Sequence, residues 1–404
     1  MFYAGTVGAP HKGDSSMRGR VHSSTSGSLF RLIAACLVVG ASMAACATSN
    51  PPPSQTPAPS PSATRPGDAA GCVVGASWGN INDGEIGEYD DPALQKAVVG
   101  AGGTYISKNA NSYEDQQAHD IDVLVAAGAR VIVVQGGADN AYLPALQRAI
   151  KAGVVVIAVL QPLGVPSLYV AFDPVELGRQ EAQALLAAKP RGNYVIITGQ
   201  PDNPELKVMV SSIKESLQPA IDRGDVKLAT IELPWMDFGE LSQKLPTLLS
   251  ENGGSLDAVA AVEEDIPYSI RGAIEDAGLA GKVAVAGVGE GSGLIGVNQG
   301  WQAIEVWENP EWRGAAVARA ALALCKEPDM AKVEGSVSVT WPGLGPTRAV
   351  LVAPVTITRD NLDVAITTSM YWRQLICGDS AHMAPLPPAC QLGPVESPSG
   401  SGQP

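Results

Sequence analysis

Ala127-Gly128-Ala129-Arg130-Val131-Ile132-Val133-Val134-Gln135 and, one helix-length later, Ala152-Gly153-Val154-Val155-Val156-Ile157-Ala158-Val159 decide how this chain folds. Each stretch carries Ala-Gly at its head, where a helix ends in a left-handed turn, and then runs into uninterrupted apolar residues. A strand with one wet face alternates apolar and polar residues. A strand that is apolar throughout is covered on both faces, as in a parallel sheet between two layers of helices. The same unit continues outward in both directions. Upstream lie a strand at 72–76, a helix at 91–100, a strand at 103–107 and a helix at 115–127. Between the two quoted stretches residues 143–152 read as a helix. Downstream, a strand at 168–172 closes one half, and the pattern restarts with helix 175–188, strand 194–198, helix 206–222 and strand 227–232. Helix 239–250, strand 258–262, helix 268–277 and strand 283–286 complete it. With 404 residues the chain is long enough for two doubly wound α/β lobes plus extensions. In such sheets ligands sit beyond the carboxyl ends of the strands.

Composition narrows what those lobes do. Hydrophobic residues make up 45% and charged residues 17%, so the chain can bury a core. The formal charge is −14; without residues 1–45 there remain 23 basic against 40 acidic residues. A surface that acidic repels phosphate backbones, which argues against nucleic acid as a partner. Only His119 and His382 lie beyond residue 45, too few for histidine-based catalysis or zinc ligation. No cofactor and no metal site is expected.

The N-terminal region reads as an address. Residues 32–45 are an apolar run preceded by Arg31, Arg20 and Arg18, and they end in Met43-Ala44-Ala45-Cys46. About 14 residues is short of the ~20 that span a bilayer but suits a signal-peptide core. Small residues just before a cysteine resemble the bacterial lipoprotein processing box, which makes Cys46 the lipidated residue and residues 1–45 the signal. Met43 stands where that box usually has Leu, and an ordinary secretory signal is the other reading. Met1 and Met17 are both candidate starts. Residues 46–71 then form a Pro/Ser tether, about 75 Å long if extended at ~3.1 Å per residue. Residues 393–404 return to Pro, Ser and Gly. The expected location is exported, on the outer face of the membrane through the lipid anchor.

Phe172-Asp173-Pro174-Val175-Glu176-Leu177-Gly178-Arg179-Gln180-Glu181-Ala182 leads into Pro190-Arg191-Gly192-Asn193-Tyr194-Val195 and then Gly199-Gln200-Pro201-Asp202-Asn203. These segments resemble the sugar-binding proteins of bacterial ABC importers, of the ribose- and xylose-binding type. Xylose-type members have F-D-N-x-x-x-G-x-x-Q-A, P-x-G-N-Y and G-S-P-x-D-N at the same spacing. Gly224-Asp225-Val226-Lys227, Leu256-Asp257-Ala258-Val259 and Gly278-Leu279-Ala280-Gly281-Lys282-Val283 extend the likeness over roughly residues 72–376. The resemblance implies the type I periplasmic-binding-protein fold, two lobes joined by a hinge of three strand crossings. These fall near 172–173, 307–308 and 347–350. Lobe 1 is then 72–172 plus 308–346, lobe 2 is 173–306 plus 347–376, and 377–404 is a disulfide-looped tail. It further implies a monomer that closes on a small ligand and docks on permease subunits.

The positions that face sugar in the family are altered. Leu160-Gln161 stands where relatives have Asp-Arg, Glu263-Glu264 where they have Asn-Asp, and Gly287-Val288-Gly289, followed by Glu290, where they have G-x-D. Trp307-Glu308 occupies the crossing at which Lys or Gln is common. Asp202, Asn203 and Trp235 match sugar-facing positions. Planar polar groups for hydroxyls and aromatic faces for C–H surfaces remain at the expected strand ends. They give the candidate ligand set Trp78, Asn80, Asn82, Gln135, Gln161, Asp202, Asn203, Trp235, Glu264, Glu290, Trp307 and Glu308. The basic residues of the usual site are absent from these positions, which leaves open a neutral sugar or a ligand carrying an amine. Gln116-Gln117 reads mainly as a solvated helix face, Trp301 and Trp312 as packing residues, and Gly289-Glu290-Gly291-Ser292-Gly293 as a βα turn without a phosphate-loop lysine.

Past Cys46 there are Cys72, Cys325, Cys377 and Cys390, and four cysteines allow three connectivities. Cys377 and Cys390 enclose twelve residues, so the local pairing is the simplest, and some relatives end with a similar pair. In the implied lobe 1, Cys72 and Cys325 both fall at the end far from the cleft, where a second bridge is reasonable. An enzyme needs a nucleophile–base pair or flanking carboxylates, which the sequence does not offer. A repressor needs a basic N-terminal helix-turn-helix. A signalling lipoprotein that kept the fold with a changed ligand remains the rival to a transport receptor.

Overall fold

The computed structural model describes residues 69–82, 84, 86–136, 140–200, 202–233, 237–378 and 388–391. The expected signal peptide, Cys46, the tether up to residue 68, Trp235 and the final residues of the tail lie outside the described residues.

The first lobe runs β1 (Val73–Trp78), α1 (Asp91–Gly100), β2 (Thr104–Asn109), α2 (Glu114–Ala126), β3 (Val131–Gln135), α3 (Leu143–Lys151), β4 (Val155–Val159) and β5 (Leu168–Phe172). The second runs α4 (Pro174–Ala188), β6 (Gly192–Gly199), α5 (Pro204–Asp222), β7 (Val226–Leu233), α6 (Phe238–Glu251), β8 (Ala258–Ala261), α7 (Asp265–Asp276), β9 (Ala284–Gly289), α8 (Ser292–Gln299) and β10 (Ile304–Trp307). The chain returns to the first lobe for α9 (Pro310–Lys326), β11 (Ser336–Trp341) and β12 (Gly345–Val352). It ends with β13 (Val355–Ile357), α10 (Asp363–Ile366), α11 (Met370–Cys377) and α12 (Pro388–Gln391).

The strands form a seven-stranded sheet, β11-β12-β5-β4-β3-β1-β2, and a six-stranded sheet, β13-β10-β9-β8-β6-β7. Within each, the strands pair in parallel except for the antiparallel edge strands β11 and β13. The all-apolar strands do what their composition requires. Val131, Val133, Ile157 and Val159 enter one core, while Ile132, Val134, Val156 and Ala158 enter another on the opposite face of the same sheet. In the second sheet Tyr194 and Ile196 point to one layer, Val195 and Ile197 to the other. The period-2 geometry of a strand thus feeds two hydrophobic layers per lobe. Left-handed glycines at Gly128 (φ 85°) and Gly153 (φ 90°) stop α2 and α3 just before β3 and β4.

The chain passes between the sheets three times, through Asp173, through Glu308-Asn309 and through Ala353-Pro354. The third passage corrects the sequence reading, which placed residues 347 onward in the second lobe. Residues 348–352 pair in register with β5, Arg348 opposite Leu168 and Val352 opposite Phe172. Only after Pro354, which has no N–H to continue the ladder, does β13 join the second sheet. The Asp173 N–H donates to the Val352 carbonyl at 3.0 Å, tying two crossings together. Three helices at the crossings and the cleft start alike, at Asp173-Pro174, Asn203-Pro204 and Asn309-Pro310. In each an Asx side chain caps free N–H groups and proline fills the first helical position.

Two disulfides brace the body, Cys72–Cys325 between the start of β1 and the end of α9, and Cys377–Cys390 in the tail. Near the second crossing an aromatic cluster joins Tyr89, Trp307, Trp312, Tyr371 and Trp372; Trp372 stacks on Tyr89 with ring centroids 5.8 Å apart. No described helix is long and apolar enough to cross a membrane.

Candidate functional site

Both lobes end their parallel strands toward a shared cleft, and a cavity of about 220 Å³ lies there. The first lobe supplies Leu160 after β4, Tyr169, Ala171 and Phe172 from β5, and Arg313 from the second turn of α9. The second lobe supplies Leu177 from α4 and Asn203, Glu205, Leu206 and Met209 from the start of α5. It also gives Val262-Glu263-Glu264 after β8, Val288-Gly289-Glu290 at the end of β9, and Glu308 at the crossing. The lining mixes apolar side chains with five carboxylates, one amide, one phenol and one guanidinium.

Tyr169 and Arg313 both reach from the first lobe to the second across this cleft. The Tyr169 hydroxyl, on the first lobe, donates to Glu205 Oε2 on the second at 2.5 Å. Arg313 is 2% exposed; its Nη2 donates to Asp90 Oδ2 at 2.8 Å within the first lobe, and its Nη1 pairs with Glu290 of the second. A buried guanidinium needs opposed charge, and here two carboxylates supply it. Burial pushes the Glu205 carboxyl up to about 7, against the Tyr169 hydrogen bond and the Arg313 charge, which pull it down. Burial also lifts Glu263 to about 7, opposed by the Gly199 N–H and assisted by Asp265.

The turn at residues 289–293 opens α8, and its N-terminus is already occupied. One oxygen of Glu264 accepts from the backbone N–H of Gly291 at 3.0 Å and of Ser292 at 2.6 Å. A helix N-terminus attracts anions, and the chain's own carboxylate holds that position. Gly289 makes the approach possible, since a Cβ there would meet the Glu264 Cβ at 2.7 Å.

Of the expected ligand set, the cavity brings together Asn203, Glu264, Glu290 and Glu308. Asn203 spends its carbonyl oxygen on the α5 cap, accepting from the Glu205 and Leu206 N–H groups. Asn80, Asn82, Gln135 and Gln161 gather instead at the carboxyl ends of β1, β3 and β4. There Gln135 Oε1 accepts from the Asn80 N–H at 3.3 Å, Asn80 accepts from the Asn82 N–H, and Gln161 packs beside Gly136. They do not line the cavity. Asp202 points to solvent near Lys207, 3.8 Å away. Trp78 and Trp307 correct the aromatic-platform expectation: neither has exposed surface. The Trp78 indole donates to Asp91 at 2.6 Å and the Trp307 indole to the Glu290 carbonyl at 2.7 Å, so each ring is a core group with its polar edge satisfied.

Three further findings differ from the sequence reading. The cleft does hold a basic residue, Arg313, one turn past the Asn309-Pro310 cap; an arginine there in an arginine-poor chain was the available signal. Glu205, two residues past the Asn203-Pro204 cap, and Tyr169, inside a strand read only as core, also line the site. Gln117 is not a solvated residue. It is fully buried, and its Nε2 donates to the carbonyls of Gln135 (2.6 Å) and Ser77 (3.3 Å). Trp301 packs against Tyr268, under the Arg271 guanidinium 5.1 Å from its ring. Among the described residues no group of three or more His, Cys, Asp or Glu side chains could hold a metal ion.

Comparison with known proteins agrees with this geometry. The D-xylose-binding periplasmic protein of Haemophilus influenzae is 24% identical over 267 residues, 64% of this chain and 78% of that protein. The D-xylose-binding periplasmic protein of Escherichia coli is 25% identical over 206 residues, 50% of this chain and 62% of that protein. This chain therefore spans somewhat under two thirds of the latter's length. A carbohydrate transporter solute-binding protein from Chloroflexus aurantiacus, solved with D-glucose, superposes with a TM-score of 0.60 at 19% identity, covering 74% of this chain and 96% of that one. The model of the periplasmic binding protein domain matches residues 78–329, which contain most of both sheets and every residue lining the cleft. Two parallel-sheet lobes, a three-passage hinge and a cavity at the strand ends are what such a domain consists of, and this chain belongs to the periplasmic binding protein family.

Proposed function

We propose that the chain is an exported, lipid-anchored receptor that captures a small polyhydroxylated, sugar-like solute and delivers it to the permease subunits of an ABC importer. The observation that carries this reading is the cavity between the lobes, lined both by apolar groups and by planar polar ones. A sugar ring has the matching two surfaces, C–H faces and hydroxyl edges. The D-glucose and D-xylose named for the fold neighbour and the relatives support the ligand class. Two disulfides suit an oxidising compartment outside the cytoplasm, in line with the signal-like run ending at Cys46. The ligand contacts in this reading are Asn203, Glu205, Glu263, Glu264, Glu290, Glu308 and Arg313, with Leu160 and Leu177 as apolar contacts. Binding draws the lobes together about the crossings, and the closed form is what the permease recognises.

Thermal-shift screening of the full chain against pentoses, hexoses and cyclitols tests the receptor reading. A ligand at 100 times its Kd should stabilise the fold by about 2.7 kcal/mol; no shift with any polyol would sink it. Fatty-acid labelling of the expressed protein, lost in Cys46→Ala, tests the anchor. The signalling alternative draws its support from Leu160, which puts an apolar side chain in a left-handed conformation (φ 65°) at the cavity wall. Solute uptake that survives deletion of this protein's gene would favour it.

A further inference from the structure

We propose that the C-terminal helix α11 is a strap that holds the two lobes together without any ligand, and that Trp372 carries the tie. The attachments of α11 at one end are to the second lobe. Ile376 packs with Leu294 and Val297 of α8, and its carbonyl accepts from the Asn298 side-chain amide at 2.9 Å. Gly291, just before α8, leaves room for the Trp372 ring, since a Cβ there would collide with ring carbons Cζ3 and Cη2. Cys377, at the end of α11, is bridged to Cys390 of α12, and both cysteines pack against the same apolar cluster.

The other attachment is to the first lobe. Trp372 stacks on Tyr89 with centroids 5.8 Å apart and ring planes within 4°, and Tyr371 meets the same ring edge-on at 5.6 Å. Tyr89 belongs to the helical turn Ile86–Asp90, which leads directly into α1. Trp372 also meets Trp307 edge-on at 5.2 Å, beside the second crossing. It is only 2% exposed, and its Nε1 has no acceptor among the described residues. The indole therefore contributes through its ring and not through a hydrogen bond.

The aromatic tie runs beside the ionic one. Asp90 and Glu290 hold Arg313, while their chain neighbours Tyr89 and Gly291 hold Trp372. The two ties differ in worth. Taking charges out of water costs much of what their pairing returns, whereas burying stacked rings carries no such penalty. The strap also reaches the cavity, because Trp307, against which Trp372 packs, donates to the Glu290 carbonyl at 2.7 Å. Trp372 is thus a positioning residue for the lobe arrangement and for the Glu290 turn.

Pulsed electron resonance on the ligand-free full chain tests this. Spin labels carried by non-natural amino acids replace the exposed Lys96 on α1 and Asp276 on α7, which leaves the disulfides untouched. Trp372→Ala and, from the other lobe, Tyr89→Ala should each shift the distances to longer values. The ratio of separated to joined lobes should rise about two- to tenfold, the range an aromatic pair supports. Trp372→Phe keeps a ring and should keep the parent distribution. Thermal melts check folding, and Tyr89→Ala decides alone if Trp372→Ala does not fold. A parent distribution in Tyr89→Ala overturns the strap even where Trp372→Ala shifts, since Trp372 then acts within the second lobe only. No ligand enters the measurement, so its failure leaves the receptor reading, which the strap goes beyond, standing.

Discussion

The two lobes share one strand order, β2-β1-β3-β4-β5 in the first and β7-β6-β8-β9-β10 in the second, yet they finish their switch points with different chemistry. In such a sheet the ligand side is where the order reverses, between β1 and β3 and between β6 and β8. In the first lobe neutral amides close that point. Gln117 Nε2 bridges the carbonyl ends of β1 and β3, and the Gln135 side chain accepts from the Asn80 N–H. In the second lobe a carboxylate does the same work, with Glu263 accepting from the Gly199 N–H and from Gln200. The switch point of the first lobe is thus closed by neutral side chains, while that of the second is closed by an ionisable one whose burial raises it to about 7. The lesson is that two lobes of one strand order can divide their chemistry, neutral at one switch point and ionisable at the other.

The strongest way to break this division is at the contact between the lobes. Arg313→Ala leaves Asp90 and Glu290 buried without their counter-charge, and the expected loss is about 3–5 kcal/mol, measured by urea denaturation. Next, Cys72→Ser with Cys325→Ser should cost about 2–5 kcal/mol and act on the first lobe, where both residues lie. Hydrogen exchange should show the added opening in β1 and α9 and little change in β6 to β8.

A third test uses pH. Burial lifts Glu181, on α4 of the second lobe, to about 8, so the folded chain holds a proton there that the unfolded chain releases. Its contribution is full below about 4.5 and is lost as pH rises through about 8, at about 1.4 kcal/mol per unit of difference. Glu181→Gln should flatten the fall in stability between pH 5 and 8 and exceed the parent at pH 8, read by denaturation at each pH. The smallest effect sharpens the comparison directly. Gln135→Glu should cost about 1 kcal/mol in melting experiments and bring a carboxyl's pH dependence to the switch point of the first lobe.

The fold was legible because its instructions are local. The runs at 131–134 and 154–159 declare a sheet covered on both faces without reference to anything else in the chain. The third crossing was misplaced for the same reason. Residues 349–357 read as one strand, and only strand pairing reveals that Pro354 divides it between two sheets. The cleft was less legible, because its geometry is made by partners far apart in sequence. Arg313 is separated from Asp90 by 223 residues, and Tyr169 from Glu205 by 36. Trp78 and Trp307 stand at the strand ends where stacking rings are expected, but whether a ring faces the cleft or the core depends on neighbours such as Asp91 and Trp372.

The carboxylate of Glu264 seated on the first N–H groups of α8 bears on which anions this end of the cleft can accept. A phosphate ester approaching this end of the cleft finds the helix terminus taken and meets a negative charge instead. On the receptor reading proposed above, that position disfavours phosphorylated forms of the ligand. Inorganic phosphate should not compete for that position either.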